Sequence, residues 1–301
     1  MMIKKISSTL IATCAALACA GAQADTGKLL LTGGVSSIDG TAGGGLTPWA
    51  VIGSNATDEE IGGSAFFTKA GTKDYGLNII GAAVGFKDRY ELSIAKQDFD
   101  TRNTGTLLGF PGLHLKQTIL GAKARVAGDA ILDSDTLMPQ IAVGLEYKTL
   151  ASTSLDGTLN FLGASRSGTD FYVSATKLFL GQSLLLNGTL RATKANQNGL
   201  LGYGSTGGNG YSLQPEFSIG YLLSKNVVVG AEYRTMRDKL QLTTAAGNGL
   251  RSESWKDLYI AWAPSKNFSL TLAYVDLGVI VPATTASRKQ TGYYLSGQVA
   301  F

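Results

Sequence analysis

Cysteine is almost missing from this chain. Of 301 residues only Cys14 and Cys19 carry thiols, and both fall in a stretch that reads as an export leader. An exported chain without disulfides must be held by a large core or by a membrane. Histidine is scarcer still, with His114 alone, so neither a metal site of imidazole and thiolate nor any cofactor is expected. Charge is low: 16% of residues are Asp, Glu, Lys or Arg, against about 25% in ordinary soluble domains. The 26 basic and 22 acidic residues nearly cancel, which excludes the clustered cationic face that nucleic acid requires. No unbroken run of about 18–20 apolar residues exists, so helical membrane spans are excluded as well. What the chain has instead is glycine, 39 residues, without the period of three of a collagen helix. Its ample Leu, Val and Ile exclude a disordered chain.

Lys4 and Lys5 precede an apolar stretch over 10–18 and a small-x-small site at Ala22-Gln23-Ala24. Basic, apolar and cleavage regions in that order define a secretory signal. Residues 1–24 are therefore expected to be cleaved, leaving residues 25–301 as one domain. The other reading, a lipoprotein signal ending at Cys19, sets Leu17 one place off the usual order.

Beyond the leader the dominant signal is alternation with a period of two. Over 140–148 one face is Ile141, Val143, Leu145 and Tyr147, and the other is Gln140, Ala142, Gly144, Glu146 and Lys148. Successive side chains of a strand point to opposite faces, so one face is apolar and the other polar or small. The pattern recurs over 89–97, 117–127, 184–194, 212–222, 227–234 and 268–274. Short connections such as Lys87-Asp88 alternate with long Gly-, Ser-, Thr- and Asn-rich ones at 98–115, 149–168, 195–210, 237–253 and 277–290, as exposed loops would be. A first strand near 28–36, five hairpins and a last strand over 291–301 give twelve strands. Segment 37–75 is too long for an ordinary connection. It either folds inward as a loop or supplies two further strands, making fourteen; Thr57-Asp58-Glu59-Glu60 within it reads as a capped first helical turn.

A soluble sandwich also alternates. Two features favour a barrel in lipid. Charges on the apolar faces (Lys96, Lys177, Lys194, Lys256 and Asp276) all sit near strand ends, where long side chains can snorkel. Outward aromatics sort into two girdles: Tyr147, Phe171, Tyr233, Tyr274 and Tyr293 near the long loops, and Phe86, Tyr90, Tyr221, Trp262, Phe268 and Phe301 near the short turns. That is the arrangement at the two interfaces of a bilayer. Closure also pairs every backbone N–H and C=O, as hydrocarbon demands. The expected fold is all-β: a transmembrane antiparallel up-and-down β-barrel of about twelve strands.

The stretch 292–301 ends in Phe301 with Val299 and Tyr293 at alternate positions, and resembles the C-terminal signal of Gram-negative outer-membrane barrels. Segment 43–52, Gly-Gly-Gly-Leu-Thr-Pro-Trp-Ala-Val-Ile, resembles a proteobacterial family of outer-membrane barrels without assigned function. The resemblance implies a location in the outer membrane after export through the periplasm. Its implied partners are outer-membrane lipid, lipopolysaccharide and the barrel assembly machinery, which would read Tyr293, Val299 and Phe301.

The function expected is a passive, weakly selective channel for small solutes. Its lumen would be lined by Glu91, Lys123, Arg125, Glu146, Lys148, Asp170, Arg191, Glu216, Glu232, Arg234 and Asp257, whose mixed signs should cancel at a distance. The 37–75 loop would narrow it, with Trp49, Asp58, Glu59 and Glu60 at the constriction. Were the lumen wet, an arginine at Val143 or Leu270 on the lipid face would cost far more than one at Ala142 or Thr271. The alternatives are a non-conducting adhesin or scaffold displaying loops, and an outer-membrane enzyme. Against an enzyme, His114-Leu115-Lys116 lacks the serine motif of the twelve-stranded phospholipase barrels. Gly202-x-Gly204-x-x-Gly207 matches a dinucleotide fingerprint but lies in a loop-like stretch. Asp133-Ser134-Asp135 lacks the remaining ligands of a calcium loop.

Overall fold

A computed structural model describes Leu31 and residues 33–129, 137–237, 240, 250 and 252–301. The expected leader and Asp133-Ser134-Asp135 lie outside the described residues. Two short strands come first, β1 (Val35–Ser36) and β2 (Ala42–Gly43), paired with each other. They are followed by β3 (Ile61–Thr72), β4 (Gly76–Phe86), β5 (Tyr90–Asp100), β6 (His114–Ala127), β7 (Gln140–Leu150) and β8 (Ser167–Phe179). The rest are β9 (Leu184–Thr193), β10 (Ser212–Ser224), β11 (Val227–Arg234), β12 (Trp255–Ser265), β13 (Phe268–Val279) and β14 (Lys289–Ala300). Strands β3 to β14 form one closed antiparallel barrel, each paired with its successor and β14 with β3. Three short helices, α1 (Arg102–Leu107), α2 (Asp156–Leu162) and α3 (Pro282–Thr285), lie in the long connections.

The count of twelve holds, but the first strand is not the expected one. Residues 33–36 are no barrel strand; the barrel begins at β3, inside the segment read as a loop. The physical reason lies in the composition of β3. Its outward positions include Gly63, Lys69 and Gly71 and its inward ones include Phe66, so apolar and polar faces are blurred. Segment 37–75 is thus neither wholly a loop nor two strands: it is an inward stretch followed by one strand. At the seam, Ser296 pairs with Thr68 in register, and the backbones of Phe301 and Gly63 exchange two hydrogen bonds of 2.8 and 2.9 Å.

The outer wall is apolar. Ile80, Leu92, Leu120, Val143, Val173, Leu190, Ile219, Leu258, Leu272 and Leu295 are all exposed on it, as are Tyr147, Phe171, Tyr233, Tyr274 and Tyr293 toward the long loops and Tyr90, Tyr221, Trp262 and Phe268 toward the short turns. Of the outward charges, Lys256 pairs with Asp276 at 3.4 Å and Lys194 stands over the Tyr211 ring. Lys177 is buried rather than snorkelling. Lys69, three residues from the end of β3, adds an outward charge.

Candidate functional site

The barrel interior is occupied by the chain itself. From Val35 to Ser54 every residue is buried, and the stretch enters from the short-turn end, where β3 begins. Its backbone polar groups, which cannot pair with water there, must find partners, and inward-facing side chains of the wall supply them. Glu91 on β5 accepts hydrogen bonds from the Ala42 N–H (3.0 Å) and the Gly53 N–H (2.7 Å). Lys123 on β6 donates to the carbonyls of Ala42 (2.8 Å) and Val51 (2.9 Å) and stands 3.3 Å from Glu91. Glu232 on β11 accepts from the Leu46 N–H (2.7 Å) and the Thr47 hydroxyl (2.6 Å). The Pro48 carbonyl accepts from Thr189 and Ser174, and Gln140 and Gln97 donate to the Ala50 and Ile38 carbonyls.

The glycines of the 43–52 segment follow from this fit. A Cβ on Gly44 would run into the Glu232 carboxylate, and one on Gly45 into the Tyr294 hydroxyl. Only a bare backbone comes close enough to the wall for Glu232 to reach the Leu46 N–H. Trp49 is buried and donates from its indole to Ser218 (3.0 Å).

Above these anchors sits a buried charge network. Asp39, from the inserted segment, lies 2.8 Å from Arg234, 3.1 Å from Lys148 and 3.7 Å from Arg191, and accepts from the Asn198 amide at 3.0 Å. Arg191 bridges Glu146 and Glu216, each at 2.6 Å, and Lys148 stands 3.1 Å from Asp170. Four carboxylates (Asp39, Glu146, Asp170, Glu216) therefore meet three cations (Lys148, Arg191, Arg234), all at most 2% exposed. In so dry a setting each charge is tolerable only because it is paired and hydrogen-bonded.

All eleven residues expected to line a lumen face inward, but the inserted segment stands where open water was expected. Asp257 on β12 is register partner of Glu232. Arg125, 17% exposed, gathers Asp88, Asp129 and Asp58 at 3.1, 3.4 and 3.2 Å near the short-turn end. Of the four expected constriction residues only Trp49 lies in the interior. Asp58 and Glu59 are exposed, and Asp58, Glu59 and Glu60 sit just before β3, outside the barrel. No helix starts at Thr57; instead its N–H and hydroxyl both donate to Glu60, at 3.0 and 2.9 Å. Those bonds hold the Glu60 carboxyl below the usual carboxylate range. Sequence reasoning missed Asp39 and Asn198. Asp39 carried a signal, being the one charge between Lys28 and Asp58; Asn198 carried none.

His114 opens β6 rather than lying in a loop. Its Nδ1 meets Asp98 at 2.6 Å and its Nε2 faces Asp100 at 3.9 Å, while the nearby Ser152 hydroxyl donates to the backbone carbonyl of His114. Gly202 and Gly204 lie in a loop whose carbonyls are gathered by the Asn196 amide, with β10 next in the chain rather than a helix.

The chain belongs to a protein family of unknown function, DUF3034, which matches residues 32–298. The match takes in the inserted segment and the barrel strands up to residue 298. No curated protein matches by sequence. Among solved structures the chain is similar to the KdgM porin, at 11% identity over 79% of this chain and 99% of that one, TM-score 0.49. It is also similar to the COG4313 outer membrane channel from Pseudomonas putida F1 (8% identity, 82% and 96%, TM-score 0.47). A third is outer membrane phospholipase A from Escherichia coli (10% identity, 79% and 92%, TM-score 0.43). At these scores the likeness carries nothing about solute or activity, and the fold rests on the strand pairing of this chain.

Proposed function

We propose that this chain is an outer-membrane channel for small solutes that rests closed, with residues 35–54 as its own plug. The observation that carries the reading is the match between plug backbone and barrel wall. Glu91, Lys123 and Glu232 all engage main-chain groups, so the interior is shaped to hold this segment. The plug is held by polar contacts rather than by strand pairing with the wall, and polar contacts can be exchanged for water. The apolar outer wall and its two aromatic girdles support a place in the outer membrane, in contact with lipid and lipopolysaccharide. The reading assigns no catalytic step. With carboxylates and cations intermixed, the open pore is only weakly ion-selective.

Planar-bilayer conductance tests this. The full chain should show rare, small openings, and deletion of residues 35–56, which leaves β3 intact, should give a steady and larger conductance. Removing residues 43–67, as the sequence alone would suggest, would cut into β3 and break the barrel. Equal conductance with and without the segment would sink the plug reading, and no conductance in either form would sink the channel. A loop-dependent binding partner with no conductance in either form would favour a scaffold.

A further inference from the structure

A second feature of the interior is a cavity of about 380 Å³ at the long-loop end of the barrel. Its floor is the plug, through Ile38 and Leu46, its walls include Phe99 and Leu277, and α2 borders it through Thr158. That volume lies at the low end of small-molecule sites. Among the described residues no Asp, Glu, Lys or Arg lines it, although the charge network lies just beneath its floor. A cavity for a sugar acid or a fatty-acid anion would need a cation or a cluster of donors; this one is almost wholly apolar. Polar side chains interrupt the lining, among them Gln97 and Asn198, which are hydrogen-bonded within the protein; two others stand out. Trp255 and Tyr294 line the cavity, both are more than nine-tenths buried, and neither the Trp255 Nε1 nor the Tyr294 hydroxyl, which lies against Gly45, has a hydrogen-bond partner among the described residues. An indole N–H only donates and a phenol hydroxyl donates readily, and such groups seldom stay unpaired when buried.

We propose that this cavity binds one uncharged, mainly apolar molecule that presents an acceptor oxygen, of the class of a small aromatic ketone or ether. One donor, Trp255 or Tyr294, takes the oxygen, and the apolar walls take the body. The proposal names the solute class of the closed channel and rests on that reading only for passage; binding stands or falls on its own.

The test is calorimetric titration of the full-length protein in nanodiscs, with empty nanodiscs as the background for partitioning into lipid. Three probes of similar size are compared: 1-acetylnaphthalene, 1-ethylnaphthalene and 1-naphthoate. The ketone should bind saturably with one molecule per barrel, the hydrocarbon more weakly, and the anion not at all. Trp255→Phe or Tyr294→Phe should weaken the ketone about five- to tenfold, the scale of one hydrogen bond, and leave the hydrocarbon unchanged. Thr158→Trp, on a half-exposed helix face that tolerates bulk, should abolish binding of both by filling the cavity. Heat indistinguishable from empty nanodiscs, equal binding of the naphthoate, or undiminished binding to Thr158→Trp would each overturn the proposal. Conductance measured on the same preparation separates the two readings: a plugged channel that conducts but does not bind the ketone refutes only the ligand assignment.

Discussion

At the scale of single residues, position on the wall decides what a substitution costs. Leu272 is exposed on the outer face of β13, and an arginine there must lie in hydrocarbon or drag water in. Leu272→Arg is expected to destabilise by about 2–4 kcal/mol, read as a lower denaturation midpoint of the barrel in vesicles; an unchanged midpoint would refute the lipid-facing assignment. The sequence suggested that the same change would be cheap on the inner face. The structure reverses that for Ala142, which is fully buried, and for Thr271, 2% exposed, since an arginine at either place would have to displace packed interior. Arg234 illustrates the opposite sensitivity. It holds Asp39 at 2.8 Å, donates to the Leu46 carbonyl at 3.1 Å and approaches Glu216 at 3.5 Å. Arg234→Met would leave four buried carboxylates against two cations. Stranding charge in this way costs about 3–5 kcal/mol, and the plug is the part free to move in response. With Ser37→Cys, a buried position, as reporter, maleimide should react many times faster in the Arg234→Met background. Equal labelling rates would show that the network does not hold the plug.

At the scale of elements, the strands with clean alternation were legible and the others were not. β7 and β12 bury every second side chain, because one face meets lipid and the other the interior, and that contrast is written in composition. β3 has the same environment but spends its outward positions on glycine and lysine, so its pattern fades. The plug was legible only as something too long and too apolar to be an ordinary loop. Its path depends on partners far away in sequence, such as Glu232 for Leu46 and Lys123 for Val51, and no local periodicity encodes those. The inward charges were found by alternation alone, but the joined network could not be, because Lys148, Arg191 and Arg234 share Asp39, which lies on no barrel strand. The turn at Thr57 shows the limit from the other side: the Glu60 carboxylate accepts from the Thr57 N–H and hydroxyl, yet that hydroxyl donates where an N-cap would accept, β3 begins at once and no helix forms.

For the whole molecule, residues 55–60 join the proposed plug to the barrel. The strand ladder closes through β14 and β3 without pairing to the plug, so the proposed release of the plug breaks no strand pairing of the wall. Its hold is concentrated at a few points, and one of these can be made permanent. The hydroxyls of Thr47 at the plug tip and Ser218 on β10 lie within hydrogen-bond reach of each other, close enough for a crosslink to form with little backbone movement. The only cysteines in the sequence are Cys14 and Cys19, both in the expected leader, so Thr47→Cys with Ser218→Cys gives one defined pair. Oxidised, this variant should lose even the rare openings of the parent, since the tip can no longer leave the wall. Reduction should restore them, because cysteine differs little in size from the residues replaced. Should the oxidised form open as often as the reduced one, solutes pass by some route that does not require the plug to move.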